Sequence, residues 1–515
     1  MTASELPQRN GHTPPASPVD EATSPADADA SRTESLLAGL RRKRLVDLTE
    51  PGPLTLRWGL IAVASLVIAG IFTLLYGGAP TYDPWAWIIW GREILHGDLV
   101  TTSGPSWKPL PMVFTIPFAL FGGAAPGLWM WIARAFAIAG IAAVADLASR
   151  LSGRLAAALA AVGIAVAPLY YAYGVQGSSE GMLVLVCCLA ATSWLDDRKN
   201  RAFWWLVAAA LIRPEAWAFV AVLGLERLWR SPKRITWIGA AGAFVIAAWL
   251  VPEKIGSGSF MRAASRAHDP NPDSAAFAKS PTLNVLGSMG NLLLWVPLIG
   301  VIIAVLLGVI AWRQDDGRRM IEKPVLRVAA LLGGVSFVWV AIVAGMTEGG
   351  YAGNPRYLAP ALGLLVAVGL GGVGWLVREL ARRGLAVVGE FLVMAALVSM
   401  VLVAALRLPA RTEEIIWQKE NLAELKVLAK QPGTKAAVLR CGPLLAHPLM
   451  VPPIAWTFRL HIDQVLSDDP PPAKGTYIVG TNAHSRPLRP RLDLISGYHQ
   501  LAATKQIQIV TNCGG

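Results

Sequence analysis

Charge is scarce in this chain. Asp, Glu, Lys and Arg make up 16% of its 515 residues, while 54% are hydrophobic; soluble domains carry roughly 25% charge. That shortage excludes an ordinary soluble domain. Several apolar runs reach the ~18 residues needed to cross about 30 Å of hydrocarbon, so the chain reads as a polytopic membrane protein. Other absences narrow the class. No Gly-x-x-x-x-Gly-Lys-Ser/Thr loop occurs, which excludes an ATP-driven pump. Metal-ligand spacing is missing, so no metal site or certain cofactor is expected, and a divalent ion stays open without support from the residues. No internal repeat of the transporter kind is evident. The start lacks a charged, apolar and then small-residue leader, and the first hydrophobic run is read as an uncleaved signal anchor. The net charge of +12 is no argument for nucleic acid, because it follows from basic residues gathered in loops that stay in the cytoplasm.

Residues 1–45, rich in Pro, Ser, Ala and Asp, lack the apolar content for a core and read as a disordered cytoplasmic tail. Residues 46–407 form the transmembrane domain. Its first span, 56–76, follows Arg41, Arg42, Lys43 and Arg44, which places the N-terminus in the cytoplasm. An outer loop, 77–111, and a short apolar piece at 110–122 come next. Further spans are expected at 127–149, 155–174 and 178–195. Between the basic stretches 196–201 and 226–234, Arg213-Pro214-Glu215 interrupts a run too short to cross twice. Each half reaches only about 18–20 Å, so a helical hairpin is expected there. Spans at 235–252, 286–312, 325–346, 358–377 and 385–407 complete about nine full crossings plus the hairpin.

After 408 short β-like runs appear, "GTKAAVLRCG", "GTYIVGT" and "IQIVTNCGG", behind an amphipathic helix at 413–430. Residues 408–515 therefore read as a small extracytoplasmic α/β domain. The chain has four cysteines. Cys187 and Cys188 lie within a span, whereas Cys441 and Cys513 both fall in the tail. An oxidising exterior permits a bridge between the latter two, and a cytoplasmic tail would leave them free.

The outer loop "GGAPTYDPWAWIIWGREILHGDLVTTSGPSWKPLP" concentrates ionisable groups beside the membrane. Locally, Asp83 reads as a helix N-cap with Pro84 at the first helical position and Gly97 just past the end. Trp85, Trp87 and Trp90 suit a helix in the headgroup region. Lys108 is either a snorkelling interfacial lysine or a phosphate contact. Glu180 opens a helix, where the dipole favours an acid. Arg213 and Glu215 are either a local pair or part of a site. Arg356 and Tyr357 stand at the mouth of a span, where a guanidinium fork suits phosphate oxygens. Arg262, Arg266, His268 and Asp269 read first as a solvated loop.

Taken in order, an Asp after span one, "GREILHGDL", Lys108-Pro109-Leu110-Pro111 and "FALFG" resemble membrane glycosyltransferases of the GT-C fold. The branch is that of protein O-mannosyltransferases and the lipid A aminoarabinose transferase. The match runs over about 56–230, with Pro84 where that branch has a second acid. The resemblance implies transfer of a sugar from a polyprenyl-phosphate carrier to a cell-envelope glycan, lipid or protein at the outer face of the plasma membrane. It implies Asp83 as general base, and Lys108, Arg356 and Tyr357 at the donor phosphate. Glu180, Arg213, Glu215, Arg92, Glu93 and His268 are secondary candidates. The chain has no cytoplasmic domain long enough for a nucleotide-sugar transferase, which favours a lipid-linked donor. A transporter or flippase for lipid-linked sugars is the alternative, using the same cations without Asp83 as base.

Overall fold

The computed structural model describes residues 25–271, 273–315, 320–467, 474–481 and 497–513. The chain is a multi-pass membrane protein: among the described residues seven helices are long and apolar enough to cross a bilayer, or eight if one sharply bent pair counts as a span. Helix α1 (Pro25–Leu48) precedes the first of them. The disordered reading of 1–45 is thus corrected from Pro25 onward, and residues 1–24 lie outside the described residues. Leu45 is buried and anchors the end of α1.

Helix α2 (Trp58–Tyr76) is the first span. The outer loop then folds into α3 (Tyr82–His96) and α4 (Pro109–Ala119). Helix α5 (Ala125–Ala165) is broken at Ser152 and Gly153. There Gly153 has φ +63°, and a Cβ on it would sit 2.5 Å from the Glu50 carbonyl oxygen. Helices α6 (Pro168–Val175) and α7 (Glu180–Leu195) follow, bent by 113° to each other. The expected span 155–174 is therefore not one helix: its first part continues α5, and Pro168 starts a new one. This accounts for part of the lower count.

The expected hairpin is made by α8 (Lys199–Ala210) and α9 (Trp217–Arg230). Its turn is tied down because the indoles of Trp217 and Trp249 both donate to the Ala210 carbonyl. Then come α10 (Ile235–Ser257), the short α11 (Arg262–Ala267), α12 (Pro281–Leu293) and α13 (Trp295–Arg313). Leu294, with φ +59°, divides what reads as one run at 286–312. Helices α14 (Lys323–Glu348), α15 (Ala359–Arg382) and α16 (Ala386–Lys430) complete the spans. Of these α15 is the centre, with 89% of its apolar window buried against 11% in α2 and in α16. Its glycines permit this. A Cβ on Gly369 would lie 2.3 Å from the Pro297 carbonyl oxygen, so only glycine lets α13 and α15 approach backbone to backbone.

Helix α16 runs without a break through Pro409, across the expected boundary at 407/408. Beyond it lie α17 (Thr434–Arg440) and α18 (Val451–Phe458). The run "GTKAAVLRCG", expected as a strand, is instead mostly α17: Ala, Leu, Lys and Arg favour helix, and Val438 is its buried anchor. A five-stranded sheet comprises β1 (Leu444–Ala446), β2 (Val465–Leu466), β3 (Gly475–Gly480), β4 (His499–Ala503) and β5 (Ile507–Asn512). The order is β2-β1-β3-β5-β4. β1 pairs in parallel with β2 and β3, and the β3–β5–β4 ladder is antiparallel. Cys441 and Cys513 form a disulfide. This domain rests on α3 through α18 and on the lower part of α16.

Candidate active site

Helix α3 begins two residues earlier than its sequence suggests. Thr81 is the N-cap, without a side-chain cap, and Asp83 lies in the first turn. The cap reading of Asp83 is therefore corrected: its carboxylate turns to two cations rather than to backbone N–H groups. The three tryptophans do not face lipid either. Trp85, Trp87 and Trp90 are at most 2% exposed, packed on Trp456, Trp129 and Trp107 respectively. A helix enclosed by α4, α5 and the C-terminal domain needs apolar surface on every side. Gly91 admits α4, because a Cβ there would meet the Thr115 carbonyl oxygen at 2.6 Å.

The entrance to α3 is held from below by Arg134 of α5. Its guanidinium donates to the carbonyls of Val175 and Gly77 and to the Thr73 hydroxyl, at 2.7–3.0 Å. On the other side the bend between α6 and α7 docks on the loop. Thr81 N–H donates to the Gln176 carbonyl, and the Trp129 indole donates to that of Gly177.

These struts bring five separated segments together around Asp83. Lys108, the residue before α4, places Nζ 3.4 Å from Asp83 Oδ2 and 3.4 Å from Ser179 Oγ, above the face of Trp87. Arg356 follows Asn354, whose side chain accepts from the Arg356 backbone N–H, and its Nη1 lies 2.9 Å from the same Asp83 oxygen. Arg213, at the tip of the hairpin, donates from Nη2 to Glu215 at 2.6 Å and stacks on Tyr357, 3.6 Å from the ring centre. Glu180 opens α7, is 1% exposed, and neither carboxylate oxygen has a hydrogen-bond partner. Its charge nevertheless acts on Lys108 and Arg356. Arg356 Nε is likewise buried without an acceptor.

Three cations and three carboxylates thus meet in one cluster. Burial alone would raise the Asp83 carboxyl, but Arg356 and Lys108 outweigh it and hold the group below the ordinary carboxylate value of 3.8. Burial depresses the Lys108 ammonium despite Asp83 and Glu180.

Not every candidate joins the cluster. Arg92 and Glu93 sit at the far end of α3 and face the C-terminal domain. Arg92 donates to the Leu460 carbonyl at 2.7 Å, and Glu93 accepts from Val100 N–H and meets His461 Nδ1 at 2.9 Å. His268 is exposed, its ring against Tyr351 and its Nδ1 beside the Ala264 carbonyl. Arg262 braces the outer loop through the carbonyls of Gly104 and Pro105. Arg266 pairs with Asp269. Among the described residues no three His, Cys, Asp or Glu side chains are grouped as a metal would need.

Reading the sequence missed Arg134, Tyr173 and Arg411. An arginine in the middle of an apolar run was signal enough for the first. Tyr173 lies within range of the charges of Arg356, Glu180, Arg411 and Asp83. Nothing local marks it or Arg411, since the bend of α6 against α7 puts the tyrosine there.

No protein-family model matches the chain, and no curated protein does. Solved structures do. ArnT from Cupriavidus metallidurans bound to undecaprenyl phosphate superposes with a TM-score of 0.52 at 13% identity, over 89% of this chain and 99% of that one. The apo structure of the same protein gives 0.51 at 14% identity, with the same coverage. At this identity the likeness speaks to architecture, and it assigns the GT-C fold to nearly the whole chain.

Proposed function

We propose that the protein is a membrane glycosyltransferase that moves a sugar from a polyprenyl-phosphate carrier to a cell-envelope glycan, lipid or protein on the outer face. One observation carries the reading: a buried carboxylate, Asp83, is held by two cations, the buried Lys108 and the partly exposed Arg356, beside an unpartnered carboxylate, Glu180. Such a cluster offers cations suited to a phosphate and acids suited to a hydroxyl group. The fold supports the same class, since ArnT with this architecture holds undecaprenyl phosphate.

In this reading the donor phosphate competes with Asp83 for Lys108 and Arg356. A fork and a point charge together suit a phosphate monoanion or diester. As they turn to it, the carboxylate loses the charges that hold its pKa down and becomes a better base. The acceptor oxygen attacks the anomeric carbon and gives its proton to Asp83. The bond from that carbon to the phosphate oxygen breaks, and the negative charge left on the carrier phosphate is taken up by Lys108 and Arg356. Tyr357, fixed by Arg213, forms the wall beside Arg356. The outer-face placement is supported by the disulfide, which lies in the domain resting on α3 and persists in an oxidising compartment.

The test is transfer by purified protein in lipid, with radiolabelled polyprenyl-phosphate sugars and envelope acceptors, wild type beside Asp83→Asn. Transfer by the wild type that falls about 10²–10⁴-fold in the variant supports the assignment. Equal transfer by both would reduce Asp83 to a structural ion-pair partner. Folded protein that binds the lipids but transfers nothing would favour a transporter.

A further inference from the structure

Helix α7, which starts at Glu180, ends at Leu195, about 24 Å away at 1.5 Å per residue. At that far end a cavity of about 300 Å³ opens between the first turn of α8 and the last turn of α9. Arg198, Lys199, Arg201, Arg227 and Arg230 line it against a single acid, Asp197. Asp197 reaches Lys199 at 3.8 Å, and Glu226 nearby pairs with Arg230. Among the described residues Arg198, Arg201 and Arg227 form no ion pair, although Glu226 and Asp197 lie within electrostatic range of Arg227.

Two features do not fit a loop that is merely solvated. The first is α8 itself. Its N-cap is Arg198, no side chain caps it, and its first turn carries Lys199 and Arg201. Free N–H groups and the positive end of the helix dipole therefore meet positive side chains, the wrong sign for a stable helix start. The second is Arg227. It is 9% exposed, one arm donates to Asn200 Oδ1 at 2.5 Å, and its Nε is buried with no acceptor. Native proteins rarely leave such a donor unmet. An anion in the cavity would answer both at once, accepting from the helix N-terminus and from the guanidiniums around it.

The surroundings say which anion. Trp229 is 91% exposed and Trp204 50%, and α9 turns Val222 and Leu225 outward at 68% and 65%. Apolar surface of this kind is covered by acyl chains, with tryptophan at headgroup level. We propose that this cavity binds the phosphodiester headgroup of an anionic phospholipid, at the membrane face opposite the Asp83 cluster.

The full-length protein in phosphatidylcholine nanodiscs with graded phosphatidylglycerol provides the test, with retained phosphatidylglycerol counted by native mass spectrometry. Arg198→Gln/Arg201→Gln should weaken retention by on the order of tenfold. Arg227→Lys, which keeps the charge but removes the fork and its Nε, should also weaken it and guards against misfolding of the first variant. Excess inorganic phosphate should leave the bound lipid in place. Retention unchanged in both folded variants would overturn the proposal. Full displacement of the lipid by inorganic phosphate would do so too, by making the site one for free phosphate.

Discussion

Helix α3 carries a buried carboxylate near each end, and the two are held in opposite ways. Asp83 in the first turn shares two cations and is pulled below the ordinary carboxylate value. Glu93 in the last turn is 1% exposed, and burial pushes it up to about 7 even though Val100 N–H, His461 and Arg92 oppose the shift. Burial is common to both, so it does not set the protonation state. What differs is the supply of charge: two close cations at one end, and at the other a backbone N–H, a histidine and an arginine whose nearest nitrogen is 3.7 Å away. The end aimed at the proposed chemistry is the one with matched charges. The other joins the helix to the C-terminal domain.

The comparison can be broken most severely at Arg356. Arg356→Met removes the nearer of the two cations on Asp83 and leaves Lys108, so the loss should approach, without exceeding, the ~3–5 kcal/mol of a broken buried pair. Thermal unfolding should show that loss. Adding Asp83→Asn should recover much of it while transfer stays absent, a coupling that unrelated sites would not show. At the other end, Cys441→Ser/Cys513→Ser removes a bridge closing a separation of 72 residues, at a cost of about 2–4 kcal/mol. Limited proteolysis should then cut the C-terminal domain first.

Glu180 supplies a third case, buried with no partner at all. Replacing it with Leu should stabilise the protein by on the order of 1 kcal/mol and still reduce transfer. Unchanged stability together with full transfer would remove Glu180 from the site. The last effect is a pH dependence. Because Glu93 is raised from 4.5 to about 7, its favourable contribution is complete below about pH 4.5 and is lost as pH rises through 7. Asp83, shifted down, contributes above pH 3.8 and loses that contribution only in stronger acid. Unfolding midpoints of wild type and Glu93→Gln should therefore diverge between pH 4.5 and 7, with the wild type losing stability and the variant flat across that window.

The candidate residues stand out because they break local rules, though each kept a bland local reading and it was the family resemblance that grouped them. Lysine beside prolines just before an apolar helix, Arg-Tyr at the mouth of a span and Arg-Pro-Glu inside a hydrophobic run are all costly in a membrane setting. The structure gathers Lys108, Arg356, Tyr357, Arg213 and Glu215 around Asp83. Arg92 and Glu93 break the same rules and face a different neighbour, because a side chain's cost does not say which partner offsets it. The tryptophans of α3 misled for a related reason. Interfacial and core indoles have the same composition, and only the packing of α4, α5 and α18 around the helix separates them.

By itself the sequence determined the membrane class, the spans that are continuous apolar helices and the short hairpin of α8 and α9. Each follows from run length against bilayer thickness, a one-dimensional quantity. Tertiary structure alone decided the rest: the break in α5, the burial of α3, and which cation meets which carboxylate. Those contacts join Lys108 to Ser179 and Asp83 to Arg356 across the chain. No periodicity or spacing encodes them, since their energy exists only once distant helices have excluded water from the space between them.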